Sequence, residues 1–228
     1  MCGRFTVSYS YDELLRFLED DFHVDTEALD DYKKNYNVAP SNDILIITKE
    51  NNEYVLSKSK WGFINPNDPF IPKKNINIRC ESLSNKFYKD TFKNNRSLVI
   101  ADGFYEWDKK SKDVYYFYLK DKQNFFFLSL SSSYFDSNNE YVSTSGIITK
   151  DADDSIKEIH TRMPVMVKIS EAIKWLDFDF KLDNFNSIYN SVKPYEISKH
   201  QVSKFVNKVI NNSIECVKEY KDINLFNI

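Results

Sequence analysis

The chain opens Met-Cys-Gly-Arg-Phe, and removal of Met1 would leave Cys2 as the first residue. A cysteine in that place carries a thiol and a free α-amine on adjacent carbons. The ordinary pKa of such an amine is about 7.7–8.0 and that of a thiol about 8.5, so both can give up a proton near neutrality. With an aldehyde, the amine can form an imine and the thiol can close a five-membered thiazolidine ring. With an acyl carbon, the thiol can attack while the amine serves as its base. Gly3 leaves room for a substrate. A small residue at a chain end is the plainer reading of the same position.

Other stretches add groups that could work beside this pair. In "ADGFYEW", Glu106 lies between Tyr105 and Trp107 in an apolar run. A desolvated carboxyl there would have a raised pKa suited to proton transfer; on an alternating strand it could instead face solvent. In "IHTRMPV", Pro164 enforces an extended chain, so His160 and Arg162 share a face. That pairs a proton carrier with a guanidinium fork for phosphate, unless His160 only bonds to its own loop. Asn77 and Arg79 in "NINIRCES" have the same spacing. The arginines are only Arg4, Arg16, Arg79, Arg96 and Arg162 in a chain that otherwise uses lysine, and three of them neighbour the residues just named. "YNVAPSND" is a turn in which Asn37 could bond to its own backbone, and a Val38-Ala39-Pro40 tip could wedge between bases. Trp61 and Trp107 are candidates for stacking on bases or for packing.

These residues need a scaffold. The spacing predicts a helix over "SYDELLRFLEDDF", with Ser10 and Glu13 as a capping box and Leu14, Leu15, Phe17 and Leu18 as its apolar stripe. "DILIIT" and "EYVLSKSKWGF" read as strands joined by "KENN", and "ESLSNKFYKDTFK" as a second helix. "SLVIADGFYEW", "VYYFYL", "NFFFLSLSS" and "EYVSTSGIIT" form a dense β region. "DADDSIKEI" and "SEAIKWL" read as short helices flanking a "PVMV" strand. The expectation is an α+β fold: a β-rich, curled or barrel-like, mostly antiparallel sheet with flanking helices. No repeat or linker divides the chain, so residues 1–228 are expected to form a single domain.

Composition removes several classes. With 42% hydrophobic and 16% aromatic residues, the 228-residue chain can build a packed core. A net charge of −3 argues against coating nucleic acid by global charge but leaves room for a local basic groove. Cys2, Cys80 and Cys216 make no disulfide framework, which points to a reducing, cytoplasmic setting. No stretch approaches the roughly 20 apolar residues of a membrane span. The three histidines and three cysteines lack ligand spacing, and four glycines leave no phosphate loop. Neither metal nor cofactor is expected.

In their order, "MCGRF", "YNVAP", "KWGF", "NIRCES", "ADGFYEW", "GIITKDAD" and "IHTRMPV" resemble the SOS response-associated peptidase (SRAP) family, with a weaker echo in "HQVSKFVN". The resemblance implies a β-rich α+β domain that senses abasic sites in single-stranded DNA, as part of a response to DNA damage. It implies that Cys2, freed of Met1, forms a thiazolidine crosslink with the opened sugar's aldehyde. Asn77 would orient the site, Glu106 would shuttle protons for ring opening, and His160 would bond the sugar hydroxyl and assist the imine stage. Arg4, Arg79 and Arg162 would hold phosphates, while Asn37, Pro40 and Trp107 shape the DNA path. Lyase activity by β-elimination and autoproteolytic loss of Met1 are further implied. The chain departs from the family pattern at Ile78, Ser82 and Ile100, and in "FLSLSSS". A monomer is expected. The rival functions are a glutaminase-like N-terminal-nucleophile amidohydrolase, since that family also begins Met-Cys-Gly, and a non-covalent single-strand DNA binder.

Overall fold

The computed structural model describes residues 2–65, 74–121, 123–177 and 195–221. In chain order the strands are β1 (Phe5–Val7), β2 (Asn35–Val38), β3 (Asp43–Glu50), β4 (Glu53–Trp61), β5 (Asn77–Arg79), β6 (Arg96–Ala101), β7 (Gly103–Trp107), β8 (Val114–Leu119), β9 (Phe125–Phe135), β10 (Tyr141–Asp151), β11 (Arg162–Pro164), β12 (Met166–Val167) and β13 (Ile197–Val202). The helices are α1 (Tyr11–Phe22), α2 (Lys89–Asn94) and α3 (Ile169–Asp177). This is the expected β-rich α+β architecture.

Helix α1 starts where the sequence says it should. Ser10 Oγ accepts from the Glu13 backbone N–H and Glu13 Oε2 accepts from the Ser10 backbone N–H, so both halves of the capping box are made. Its buried face carries Leu14, Phe17, Leu18 and Phe22, with Phe17 stacked on Phe126 of β9 at 5.2 Å. Strands β3 and β4 form a hairpin from Asp43↔Lys60 to Glu50↔Glu53. Its two turn residues, Asn51 and Asn52, both adopt positive φ (50° and 69°), which asparagine tolerates and a tight hairpin needs.

The sheet then curls shut. β6 pairs with β3, β9 with β6, and β10 with β9, while β10 also runs parallel to β4 and closes the ring. Inside, small hydroxyls pair with one another: Ser97 with Ser129 at 2.7 Å and Ser59 with Ser145 at 2.8 Å. In "FLSLSSS", which departs from the family pattern, the buried Ser129 bonds to Ser97 and the buried Ser132 donates to the Ile64 carbonyl. A second sheet, in the order β13-β8-β7-β1-β2, lies against this barrel. Phe5 of β1 joins the two, packing edge-on to Trp61 of β4 (5.0 Å) and Phe127 of β9 (5.7 Å). Buried rings of this size contribute roughly 2–3 kcal/mol each by leaving water.

Three expectations need correction. "SLVIADGFYEW" is two strands, not one: β6 belongs to the barrel and β7 to the second sheet, with the break at Asp102. The predicted helix over "ESLSNKFYKDTFK" is helical only as α2, preceded by a 3-10 turn at Cys80–Ser82. "DADDSIKEI" is a series of turns held by bonds from the Ile156 and Lys157 backbone N–H groups to the Asp153 carbonyl, and is no α-helix. In both stretches, short polar residues that favour local side-chain bonds outcompete helix propagation.

Candidate active site

Two neighbouring strands bring the first group together. β1 and β7 run antiparallel with Phe5 opposite Phe104, and the Tyr105 N–H donates to the Arg4 carbonyl at 2.9 Å. Extending that register by two residues sets Gly3 opposite Glu106 and brings Cys2 alongside. Their electrostatics agree: the Cys2 thiol is pushed well up, first by burial and then by the charge of Glu106. Glu106 is only 2% exposed, and burial lifts its carboxyl to about 7, with the positive amino terminus acting the other way. The desolvated carboxyl that the aromatic context suggested is therefore present, on the core-facing side of β7.

Strand β10 supplies the rest. β5 runs parallel to it, with Ile147 opposite Asn77 and Thr149 opposite Arg79. Asn77 Nδ2 donates to the Cys2 carbonyl at 2.7 Å, which ties the N-terminal residue to the barrel. The Asn77 amide oxygen is buried and receives no hydrogen bond from the described residues. On the other edge of β10, β11 pairs Asp151 with Arg162. His160, just before β11, accepts a 3.0 Å bond from the Arg162 backbone N–H at Nδ1. Nδ1 also lies 3.1 Å from the Arg162 carbonyl, so the Arg162 backbone holds the ring in place through both of its polar groups. Burial and the same positive amino terminus lower the His160 pKa. Cys2, Glu106 and His160 thus all feel the charge at the amino terminus.

The remaining residues divide. Arg4 lies 5.9 Å over the Trp107 ring and donates from Nη1 to Asn37 Oδ1 (2.6 Å) and the Val206 carbonyl (2.9 Å). Asn37 does not close a local turn with its amide: Nδ2 reaches the carbonyls of Val206, Lys208 and Asn211. Trp107 donates from Nε1 to Asn207 Oδ1 at 2.8 Å. Arg79 and Pro40 are exposed. The guanidinium of Arg162 is occupied, with Nη1 on Glu81 (2.7 Å) and Asp151 (2.8 Å) and Nη2 on Glu81 (3.0 Å) and the Thr149 carbonyl (2.6 Å). It holds the Glu81 carboxyl down at about 2. Trp61 is fully buried against Phe5 and donates to the Ile76 carbonyl, so it stacks on no base. Val38 and Ala39 are buried as well, which leaves Pro40 as the exposed part of that tip.

Sequence reasoning missed the segment that receives Arg4 and Asn37, and it missed Asp102. The first carries only a faint pattern, "VSKFVN", in a polar tail. The second sits in an Asp-Gly pair, which is a turn signal in its own right. Among the described residues, no group of three or more His, Cys, Asp or Glu could hold a metal ion, and no helix is long and apolar enough to cross a membrane.

A cysteine held by an asparagine of the barrel beside a buried carboxyl accompanies the sequence motifs already described. The family model for SOS response associated peptidase (SRAP) matches residues 1–209, and the chain belongs to that family. Among curated relatives, the abasic site processing protein YoqW of Bacillus subtilis is 33% identical over 230 residues, covering 96% of this chain and 100% of its own. The abasic site processing protein YedK of Escherichia coli is 28% identical, with 96% and 99% covered, and HMCES of Xenopus tropicalis is 31% identical, with 82% and 67% covered. A solved structure from Bacteroides thetaiotaomicron superposes with a TM-score of 0.80 at 19% identity, covering 96% of this chain and 100% of that one, which shows the shared fold.

Proposed function

We propose that this protein processes abasic sites in single-stranded DNA by covalent capture through Cys2 after loss of Met1. What carries this is the grip of Asn77 on the Cys2 carbonyl at 2.7 Å, with the buried Glu106 carboxyl beside the same residue. The names of the relatives point to the same substrate. In the open form of an abasic sugar, the aldehyde carbon is attacked by the Cys2 amine. Water leaves to give the imine, the Cys2 sulfur adds to the same carbon, and the thiol proton passes by way of Glu106 to the ring nitrogen. The product is a thiazolidine. The reading needs no metal or cofactor.

Glu106, half-ionised near neutrality, opens the sugar by moving a proton and takes up the thiol proton as sulfur adds. His160 donates from Nε2 to a sugar oxygen, and the Asn77 amide oxygen accepts from a hydroxyl. Arg4 and Arg79 face the phosphates; Arg162, whose guanidinium is taken up by Glu81, Asp151 and Thr149, orders the segment after His160, and Asn37 acts by holding Arg4. Pro40 and Trp107 border the strand. Release of an uncaptured imine by β-elimination gives lyase activity, and loss of Met1 by autoproteolysis gives the activity named in the family's title. The protein acts as a single copy inside the cell.

The test is Met1-free protein on single-stranded DNA with one abasic site, read by denaturing electrophoresis and intact mass. A heat-stable adduct that requires both thiol and free amine is the expected result. Binding that disappears on denaturation, or glutamine hydrolysis without any adduct, overturns the reading.

A further inference from the structure

The strand that follows Cys2 and the strand that carries Glu106 are joined by very little regular pairing. β1 has three residues, and only Phe5 and Thr6 are paired with β7. A one-residue slip would turn Glu106 away from the N-terminal residue, because side chains alternate along a strand. What fixes the register is a side chain at the break between the two sheets. Asp102 donates its backbone N–H to the Thr6 carbonyl at 3.1 Å. Its carboxylate accepts from the Thr6 hydroxyl through Oδ1 and from the Ser8 backbone N–H (2.7 Å) and hydroxyl through Oδ2. Thr6 Oγ1 also lies 3.0 Å from the Tyr116 hydroxyl of β8. A Cβ on Gly103 would meet that Tyr116 oxygen at 2.1 Å, so the backbone is drawn close to β8 at this point.

Asp102 therefore meets β1, β7 and, through Thr6, β8 at one junction. The junction lies four residues after Cys2 on one strand and four before Glu106 on the other. We infer that Asp102 is a positioning residue for the covalent step: it locks the register of β1 on β7 and so sets the Cys2 amine and thiol against the Glu106 carboxyl. It touches neither substrate nor reacting atoms. This inference rests on the proposed covalent capture for its meaning, but not for its test.

Two variants probe it, Asp102→Asn and the milder Thr6→Val, each compared with wild type well below its melting temperature. The first readout needs no DNA: the Glu106 carboxyl is followed by carbon-13 NMR through a pH titration. Loss of the lock should move its midpoint, because the distance to Cys2 and the enclosure of the carboxyl both change. The second readout is the capture rate at saturating abasic DNA, separated from affinity. A drop of about 10- to 100-fold in rate with affinity unchanged is expected, the usual effect of misplacing reacting groups by about 1 Å. If both variants keep the wild-type titration and saturating rate and lose only thermal stability, Asp102 is merely structural and the inference fails. If wild type makes no adduct, the proposed function fails, and the titration alone still decides the role of Asp102. If Asp102→Asn does not fold, Thr6→Val decides.

Discussion

Asn77 donates a 2.7 Å hydrogen bond to the carbonyl of Cys2 across 75 residues of sequence. One side chain thereby fixes the backbone of the residue proposed to capture the sugar. Asn77→Ala should leave the fold intact, because β5 keeps its parallel pairing to β10. The saturating capture rate should fall at least about tenfold, since positioning energy is lost in the reactive geometry. Single-turnover kinetics will measure it; an unchanged rate would detach Asn77 from the chemistry.

Glu106 makes stability depend on pH in a definite direction. Its folded pKa of about 7 lies above the ordinary glutamate value of about 4.3. Below pH 4 both states hold the proton and nothing changes. Between those values the unfolded chain releases its proton while the folded one retains it, so stability falls as pH rises. The loss by pH 8 is on the order of 3 kcal/mol. Glu106→Gln does not titrate and should gain on wild type by about that amount between pH 4 and pH 8. Denaturant midpoints at the two pH values test it, and parallel curves would contradict a buried carboxyl.

The same group should shape the pH dependence of capture. Wild type is expected to show an inflection near pH 7 that Glu106→Gln lacks, because proton transfer through Glu106 depends on its ionisation. A stopped time course at several pH values reads this directly. Retention of the inflection in the variant would assign it to another group.

Two arginines should respond differently to alanine. The Arg162 side chain is 11% exposed and bonded to Glu81, Asp151 and the Thr149 carbonyl, so Arg162→Ala should destabilise the fold by about 3 kcal/mol. Exposed Arg79 should cost less than about 0.5 kcal/mol. If Arg79 meets one phosphate, its removal should reduce the slope of log affinity against log salt by about one. Thermal melts and salt titrations separate the two effects.

Gly103→Ala brings a methyl group to 2.1 Å from the Tyr116 hydroxyl and 2.3 Å from its ring carbon, both held in the core. A loss of about 3 kcal/mol or failure to fold is expected. Tyr116→Phe should not rescue it, because the ring itself obstructs. Rescue measured by thermal melting would mean that β8 yields more easily than its packing implies.

Much of this was written locally in the sequence. The Ser10–Glu13 cap, the β3–β4 hairpin and the side-by-side spacing of Asn77 with Arg79 follow from patterns a few residues long. The enclosure of Glu106 was suggested by its aromatic neighbours, but its facing side was settled only by the pairing of β1 with β7. The break at Asp102 was hidden because apolar residues continue on both sides of it while the strands change sheets. The partners of Arg4, Asn37 and Arg162 were illegible for a related reason. They are carbonyls and carboxylates far away in sequence, and nothing in a local pattern encodes a backbone oxygen.

Residues far apart in the sequence meet around Arg4. Arg4 and Asn37 bind carbonyls of a segment up to 202 positions further on. During synthesis, the amino end emerges first and has no such partner until that segment has left the ribosome. The surroundings of Arg4 and Asn37 are thus completed late, although both residues are made early. A chain ended before Val206 would leave Arg4 and Asn37 without those carbonyls.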